Sequence, residues 1–540
     1  MKRTTVCPRY LCALFYLAGL LLIYGCSARL NEKSATPITT AISKDSSLTA
    51  APATPSHKSD LNLCLSATEP QTLDPGNLTD PNGIASVYEI TQHIFDRLVN
   101  IDAAGRIVPS LATSWEYLNP LTLQLYLRRD VLFHNGEPFN AGAVKFSLER
   151  LFQATIGRQK ENRLHTVAGV DIVDKYTVKI RTTVPDGLLL RQLATLVFIF
   201  PPRYFRSVGK QTFGRQPIGT GPFRFTKWNA DHDIVLTRNA GYWVPAVPKL
   251  DRVTFQFIPT ADFKDHQWRN PLLNGQLDFI KQLPGMQTFK VQNNRETKLV
   301  KTRSTRYVVL MPNPFKPPFS DIRLRRAVAL AIDRELLIRL VANGNGQPVA
   351  LLSSDLEFGH NESLPAYPFD PDTAQALVTK AGYPSGLSAR ALLAPGTSPR
   401  LGPVLARFFK DINLDITVVA PDRRQLEKIN LVKDYDLWVF IAHNPLRHSA
   451  FLLNQFLVER PSMAATNAYP VGFRQKFEQM VSTIDTVEQA RLCHELERMA
   501  YETYFVCPLF QIVETYEVSK RLMYKPSPSG LVDLSEAYFQ

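Results

Sequence analysis

IVPSLATSWEYLNPLTLQLYLRRDVLFHNGEPF, running from Ile107 to Phe139, is the stretch that decides the fold of this chain. From Thr122 to Arg128 it alternates, with Leu123, Leu125 and Leu127 on one face and Thr122, Gln124, Tyr126 and Arg128 on the other. That period of two predicts a half-buried strand. His134-Asn135-Gly136 then supplies turn chemistry. Asn140 stands where its side chain can cap a helix, and Val144, Leu148 and Leu151 would line that helix's inner side. The spacing therefore predicts a strand, a turn and a capped helix in succession.

These residues resemble the signature block of the family 5 extracellular solute-binding proteins, the oligopeptide-, dipeptide-, nickel- and haem-binding receptors of ABC importers. The resemblance extends along the chain in order. Thr72-Leu73-Asp74-Pro75 and Ile94-Phe95-Asp96-Arg97-Leu98-Val99 look like the family's opening elements. Pro217-Ile218-Gly219-Thr220-Gly221-Pro222-Phe223 and Arg238-Asn239-Ala240-Gly241-Tyr242-Trp243 resemble its most recognisable pair. Pro318 to Ala327, and Phe369-Asp370-Pro371 through Ala381-Gly382-Tyr383-Pro384, resemble later blocks. The resemblance implies an α/β, bilobal periplasmic-binding-protein fold of the class II, cluster C type, with an additional inserted domain and a hinge-closing cleft. Residues 61–103, 214–305 and 505–540 are expected to form a discontinuous first lobe, 104–213 the inserted domain, and 306–504 the lobe opposite.

A chain of 540 residues exceeds what one core usually supports, and 45% hydrophobic content with 31 Phe provides material for several. The net charge of +13 comes from scattered basic residues, and no helix carries the basic stripe that nucleic-acid binding needs. At the N-terminus, Met1-Lys2-Arg3 and Arg9 precede an apolar run from Leu11 to Ile23, too short for a comfortable membrane span. The run closes on Tyr24-Gly25-Cys26, which looks like a lipobox whose Cys26 would be lipidated and become the mature N-terminus. Tyr24 occupies a position that usually holds a small residue, and ordinary cleavage after Ala28 is the alternative. Residues 27–60 are too poor in apolar side chains to fold, and as a coil would reach roughly 30 Å, a suitable tether. Of the 6 Cys, Cys64, Cys493 and Cys507 lie in the mature body, and Cys493 with Cys507 is the more plausible bridge.

Nothing in the chain reads as a catalytic constellation. Asn343-Gly344-Asn345-Gly346 follows a helix where a phosphate loop should follow a strand, so it is a turn. His443 and His448 sit in a loop with no Cys or carboxylate at ligand spacing, and Cys493-His494 are neighbours that point different ways. No cofactor and no metal site is expected.

The resemblance implies a ligand-binding site instead. In peptide-binding members a Gly-Trp-x-x-Asp strand lines the cleft, pairs with the peptide backbone and holds its α-ammonium on the Asp. The corresponding stretch here is Leu437-Trp438-Val439-Phe440-Ile441, followed by Asn444-Pro445. Trp438 matches, but Ile441 stands where the Asp would be, and an unpaired buried ammonium costs several kcal/mol. Either the ligand lacks a free amine there, or another carboxylate serves. Asp80 is the candidate, and capping the Asp80-Pro81-Asn82-Gly83 turn is its other reading. Val439, Tyr307, Phe510 and Gln511 are further cleft candidates, acting through shape and stacking. The expected function is capture of a short peptide or peptide-like solute on the periplasmic side of the bacterial inner membrane, by a lipid-anchored monomer that delivers it to an ABC permease. A haem or nickel-chelate receptor of the same family is the nearer alternative, and a surface adhesin the more distant one.

Overall fold

The computed structural model describes residues 59–65, 69–76, 84–153, 164–257, 272, 274–281, 283, 288–292, 294–422, 425–426, 434–458 and 470–540. The leader, Cys26, the tether up to residue 58 and Asp80 lie outside the described residues. Strand Thr122–Leu127 buries Leu123, Leu125 and Leu127 and pairs with Ala112–Asn119 and with Thr177–Thr182. Val167–Asp174 completes a four-stranded antiparallel sheet. Helix Ala141–Gln153 begins where Asn140 Oδ1 accepts from the backbone N–H of Gly142 (2.9 Å) and Ala143 (3.3 Å). Those donors have no partner inside the helix. Val144, Leu148 and Leu151 bury the helix against this sheet.

Two long strands organise the rest. Thr297–Pro312 and Cys507–Ser519 lie side by side, antiparallel, and cross from one lobe to the other. On one side the sheet continues through Phe279–Ile280, Asp60–Leu65, Arg252–Phe257, Asp233–Arg238 and Phe223–Asn229. On the other it continues through Leu437–His443, Leu387–Leu393 and Leu414–Val419. The second lobe's strands alternate faces, as the pleat requires. Tyr307, Val309, Met311, Trp438 and Phe440 meet helices Ser449–Leu453, Phe473–Ser482 and Thr486–Tyr501. Val308, Leu310, Val439, Leu509 and Phe510 meet Ile322–Leu330, Arg334–Ala342, Pro371–Lys380 and Leu401–Lys410. The caps are where the sequence puts them: Asp370 accepts from Thr373 N at 3.0 Å, and Asn343 ends its helix in the left-handed region at φ 50°.

The signature blocks converge on one buried carboxylate. Asp96 accepts from Thr220 Oγ1 (2.9 Å), Tyr242 OH (3.0 Å) and Trp243 Nε1 (2.8 Å). Gly219 makes the approach feasible, since a Cβ there would fall 2.0 Å from the Ile94 carbonyl oxygen.

Three expectations are corrected. Phe198, Phe200 and Phe213, counted with the inserted domain, pack with Phe95 and Phe255 in the first lobe's core, where Phe198 and Phe200 meet the Phe95 ring edge-on and Phe213 meets it tilted. Cys507 to Gln511, counted with the first lobe, pair inside the second, Leu310↔Cys507 to Tyr307↔Gln511. Cys493 and Cys507 are both free thiols in separate cores on opposite faces of the sheet, so they form no bridge.

Candidate ligand cleft and hinge

The crossing strands pair from Thr297↔Ser519 to Arg303↔Val513, and again from Tyr307↔Gln511 to Leu310↔Cys507. Between these runs Ser304, Thr305 and Arg306 stand against Ile512, which is a bulge. A bulge bends and re-aims a strand, and this one falls where the pair leaves one lobe's sheet for the other's. Both lobes hold its backbone. Thr305 N donates to Pro528 O (3.0 Å) of the first lobe, and Thr305 O accepts from Asn444 N (2.8 Å) of the second. Ser304 Oγ donates to Ile512 O, and Gln511 Nε2 donates to Ser304 O and Ser354 Oγ, each at 2.9 Å. Arg306 Nη1 donates to Glu514 Oε1 at 2.8 Å, and His443 Nε2 lies 3.2 Å from Ser529 O.

A second seam joins the inserted domain to the second lobe. Arg191 donates to the carbonyls of Leu446 (3.1 Å), Arg447 (2.9 Å) and Gly105 (2.9 Å). Arg447 reaches back to the carbonyls of Ala103 (2.7 Å), Leu356 (2.8 Å) and Asp102. Gly105 is required at this contact: its φ is +80°, and a Cβ would sit 2.7 Å from Leu356 O. Gly187 N donates to Val481 O at 2.7 Å in a neighbouring contact. Burial pushes the Arg191 guanidinium down to about 10, which still leaves it charged.

Glu357 links seam and hinge. Its carboxylate accepts from Tyr307 OH, from Ser354 N (3.0 Å) and from Ser354 Oγ (2.8 Å). Burial outweighs these donors and the nearby Arg447, and pushes the carboxyl up to about 7. Glu497, accepting from Ser353 Oγ and Asn361 N, is pushed by burial up to about 8. A carboxyl raised in the folded state contributes stability that is full below its unfolded pKa and is lost as pH rises through the folded one. Glu357→Gln is therefore expected to gain on the wild type by roughly 2–3 kcal/mol between pH 4.5 and pH 8. Urea titrations at the two pH values check this, and a pH-independent difference would remove Glu357 as the titrating group.

The candidate residues read from the sequence fall into two groups. Ile441, Val308 and Phe510 form one row across three strands, and Ala442, Tyr307 and Gln511 form the next. Tyr307, Ile441, Phe510 and Gln511 thus occupy neighbouring rows at the hinge end of the second lobe, with Tyr307 turned into one core and Ile441 and Phe510 into the core on the opposite face. Val439 and Trp438 lie deeper, opposite Leu310 and Met311, Trp438 roughly 10 Å from Ile441 along the strand. Every one of these side chains except the half-buried Ile441 is buried, and the Trp438 ring packs 4.4 Å from that of Phe440. All but Gln511, which is held at the bulge by Ser304 O and Ser354 Oγ, pack in or against the second lobe's cores.

Cys493 Sγ lies 3.9 Å from His448 Nε2, not beside the His494 ring. Burial pushes that thiol up to about 12 and the His448 imidazole down to about 3, so both are neutral near pH 7 and no thiolate forms. Among the described residues no group of His, Cys, Asp and Glu is placed to hold a metal ion, and no helix is long and apolar enough to cross a membrane.

Two sandwiched lobes threaded by one bulged strand pair, with an inserted sheet domain, define a hinged two-lobed binding protein. The chain belongs to the bacterial extracellular solute-binding proteins, family 5 Middle, whose model matches residues 106–461. It is 28% identical over 319 residues to the glutathione-binding protein GsiB of Escherichia coli (strain K12). That match covers 59% of this chain and 60% of the relative, less than two thirds of the relative's length. NikA from Brucella suis in complex with Fe(III)-EDTA has a similar fold, at TM-score 0.78 and 22% identity over 89% of this chain and 100% of that one. DppA from Helicobacter pylori in complex with peptide STSA matches at TM-score 0.71 and 20% identity over 89% and 98%.

Proposed function

We propose that this chain captures short peptides or peptide-like solutes on the periplasmic side of the bacterial inner membrane and delivers them to an ABC permease. The bulged strand pair is the observation that carries this reading, because it lets two lobes close over a solute without breaking either sheet. Family membership and the likeness to a glutathione-binding protein and to a peptide-bound structure support it. In this reading the protein acts as a non-catalytic monomer, lipidated at Cys26 and tethered by residues 27–60. The lobe bounds proposed are those expected from the sequence, and the packing of Phe198, Phe200 and Phe213 and the pairing of Cys507 to Gln511 support moving those residues across.

Native mass spectrometry of the purified chain, followed by calorimetry with glutathione, Ala-Ala-Ala and Fe(III)-EDTA, tests this. A co-purifying peptide mass or binding of either peptide supports it. Binding of the chelate alone favours a metal-chelate receptor, and a chain that binds none of the three overturns capture of small solutes.

The amine reading is tested separately. If Asp80 holds the ligand's ammonium, Asp80→Asn should weaken Ala-Ala-Ala by roughly 2–5 kcal/mol and spare its N-acetylated form. If the wild type binds both forms equally, the amine is not read, and Ile441→Asp should create a preference for the free amine. Two variants that both leave the pair of affinities unchanged would remove this strand from the cleft.

A further inference from the structure

Two buried acids beside the hinge lack the cation that three others have. Asp74, Glu89 and Glu514 are ion-paired with Arg150, Lys281 and Arg306. Glu357 is 4% exposed and Glu497 1%, and no Lys or Arg among the described residues is bonded to either carboxyl. Their donors are neutral: the Tyr307 hydroxyl and Ser354 for Glu357, Ser353 and Asn361 for Glu497. Ser353 and Ser354 are consecutive, so both acids fasten on one short segment.

That segment is where the hinge and the seam meet. Tyr307 lies on its crossing strand directly after the bulge. Ser354 Oγ donates to Glu357 and accepts from Gln511 Nε2, which also donates to Ser304 O inside the bulge. Leu356 O accepts from Arg447 and lies against Gly105 of the inserted domain. Phe358 N donates to Arg447 O (3.0 Å), and Phe358 O accepts from Ser449 N (2.9 Å). Glu497 belongs to helix Thr486–Tyr501 of the second lobe. Residues 353–361 therefore touch both crossing strands, the seam and the second lobe's helices.

Charged and titratable groups act on Glu357 from each of these elements. Arg447, Arg303 and Arg191 attract it through space, but they give their donors to carbonyls and to Asp355. Burial and Glu357 itself hold the Tyr307 phenol well above its ordinary value, so it stays a donor. Glu497 and Glu357 repel one another when ionised. His360, 2.8 Å from Ser353 Oγ, is held below the ordinary imidazole value by burial. An anion at position 357 is thus dry and without a bonded cation, which is costly. Water would remove that cost, and it reaches this carboxyl only if residues 353–358 part from the crossing strands or from the seam. A carboxyl raised from 4.5 to about 7 stabilises the packed form fully below 4.5 and progressively less up to about 7.

We propose that Glu357 is a proton-operated latch on the hinge: with its proton on, the crossing strands, residues 353–361 and the seam pack as one body, and loss of the proton lets them part. The latch is independent of which solute is captured. Hydrogen exchange of the full chain, read by mass spectrometry and corrected for the intrinsic rate at each pH, tests it. Between pH 5 and pH 8 the opening of peptides spanning 303–311, 353–361 and 509–513 should rise roughly 10- to 100-fold. Strands 122–127 and 177–182 of the inserted domain should not change. Glu357→Gln, neutral at every pH, should stay closed across the range. Glu497→Gln should keep the rise and move it to lower pH, because the repelling neighbour is gone, and this arm decides even if Glu357→Gln does not fold. A wild type flat with pH, or a rise that spreads equally to strands 122–127, overturns the latch. So does a rise of undiminished size in Glu357→Gln, or an unmoved midpoint in Glu497→Gln.

Discussion

Replacing Asp96 by alanine is expected to destabilise the first lobe by about 3–5 kcal/mol, because it strips the acceptor from three buried donors at once. Thr220 Oγ1, Tyr242 OH and Trp243 Nε1 all point at this carboxylate, and each would be left without it. Burial raises the carboxyl's pKa in spite of the three donors, so the site already carries a desolvation cost that its bonds offset. Asp96→Asn keeps one acceptor oxygen and should lose less. Urea unfolding followed by hydrogen exchange at residues 93–97 checks both variants. An alanine variant as stable as the wild type would show that this cluster holds nothing together.

Arg447→Ala should have a comparable effect by a different route, about 3–5 kcal/mol. The guanidinium supplies donors to the carbonyls of Asp102, Ala103 and Leu356, one set on the inserted domain's side of the seam and one on the second lobe's. Without it the Leu356 and Ala103 carbonyls lose this partner, and the seam is left to Arg191, the Thr195 hydroxyl on Pro445 O and Gly187 N on Val481 O. The ligand-free protein should then sample more open forms, seen as a larger radius of gyration in small-angle X-ray scattering. Arg447→Lys keeps the charge but not the planar fork and should fall between. Scattering and stability both unchanged in Arg447→Ala would mean that the seam has no part in holding the lobes.

Much of the architecture was legible before any coordinates. The alternation of Leu123, Leu125 and Leu127 and the caps at Asn140 and Asp370 are local signals, set by residues within a few positions of one another, and the structure repeats them. The candidate site was less legible. Trp438 and Val439 lie on the expected strand, yet their side chains turn into the cores, because strands covered by helices on both faces bury both sets of side chains. Glu357 left only a faint signal, an acid flanked by Leu356 and Phe358 after a Ser-Ser pair. Arg191 and Arg447 left none, since an arginine's environment is not written in its neighbours.

By itself the sequence determined the strands and helices, their caps and turns, and the order of the signature blocks that mark the family. Each depends on backbone preferences and periodicities that act over a few residues. The tertiary structure alone decided where the crossing strands bulge, which thiols stay apart, why Asp96 gathers three motifs, and which arginines clasp the lobes. Arg191 meets the Leu446 carbonyl across 255 positions, and Arg447 meets that of Asp102 across 345. The partners in these contacts are backbone oxygens, which every residue carries alike, so no residue type can announce them in advance.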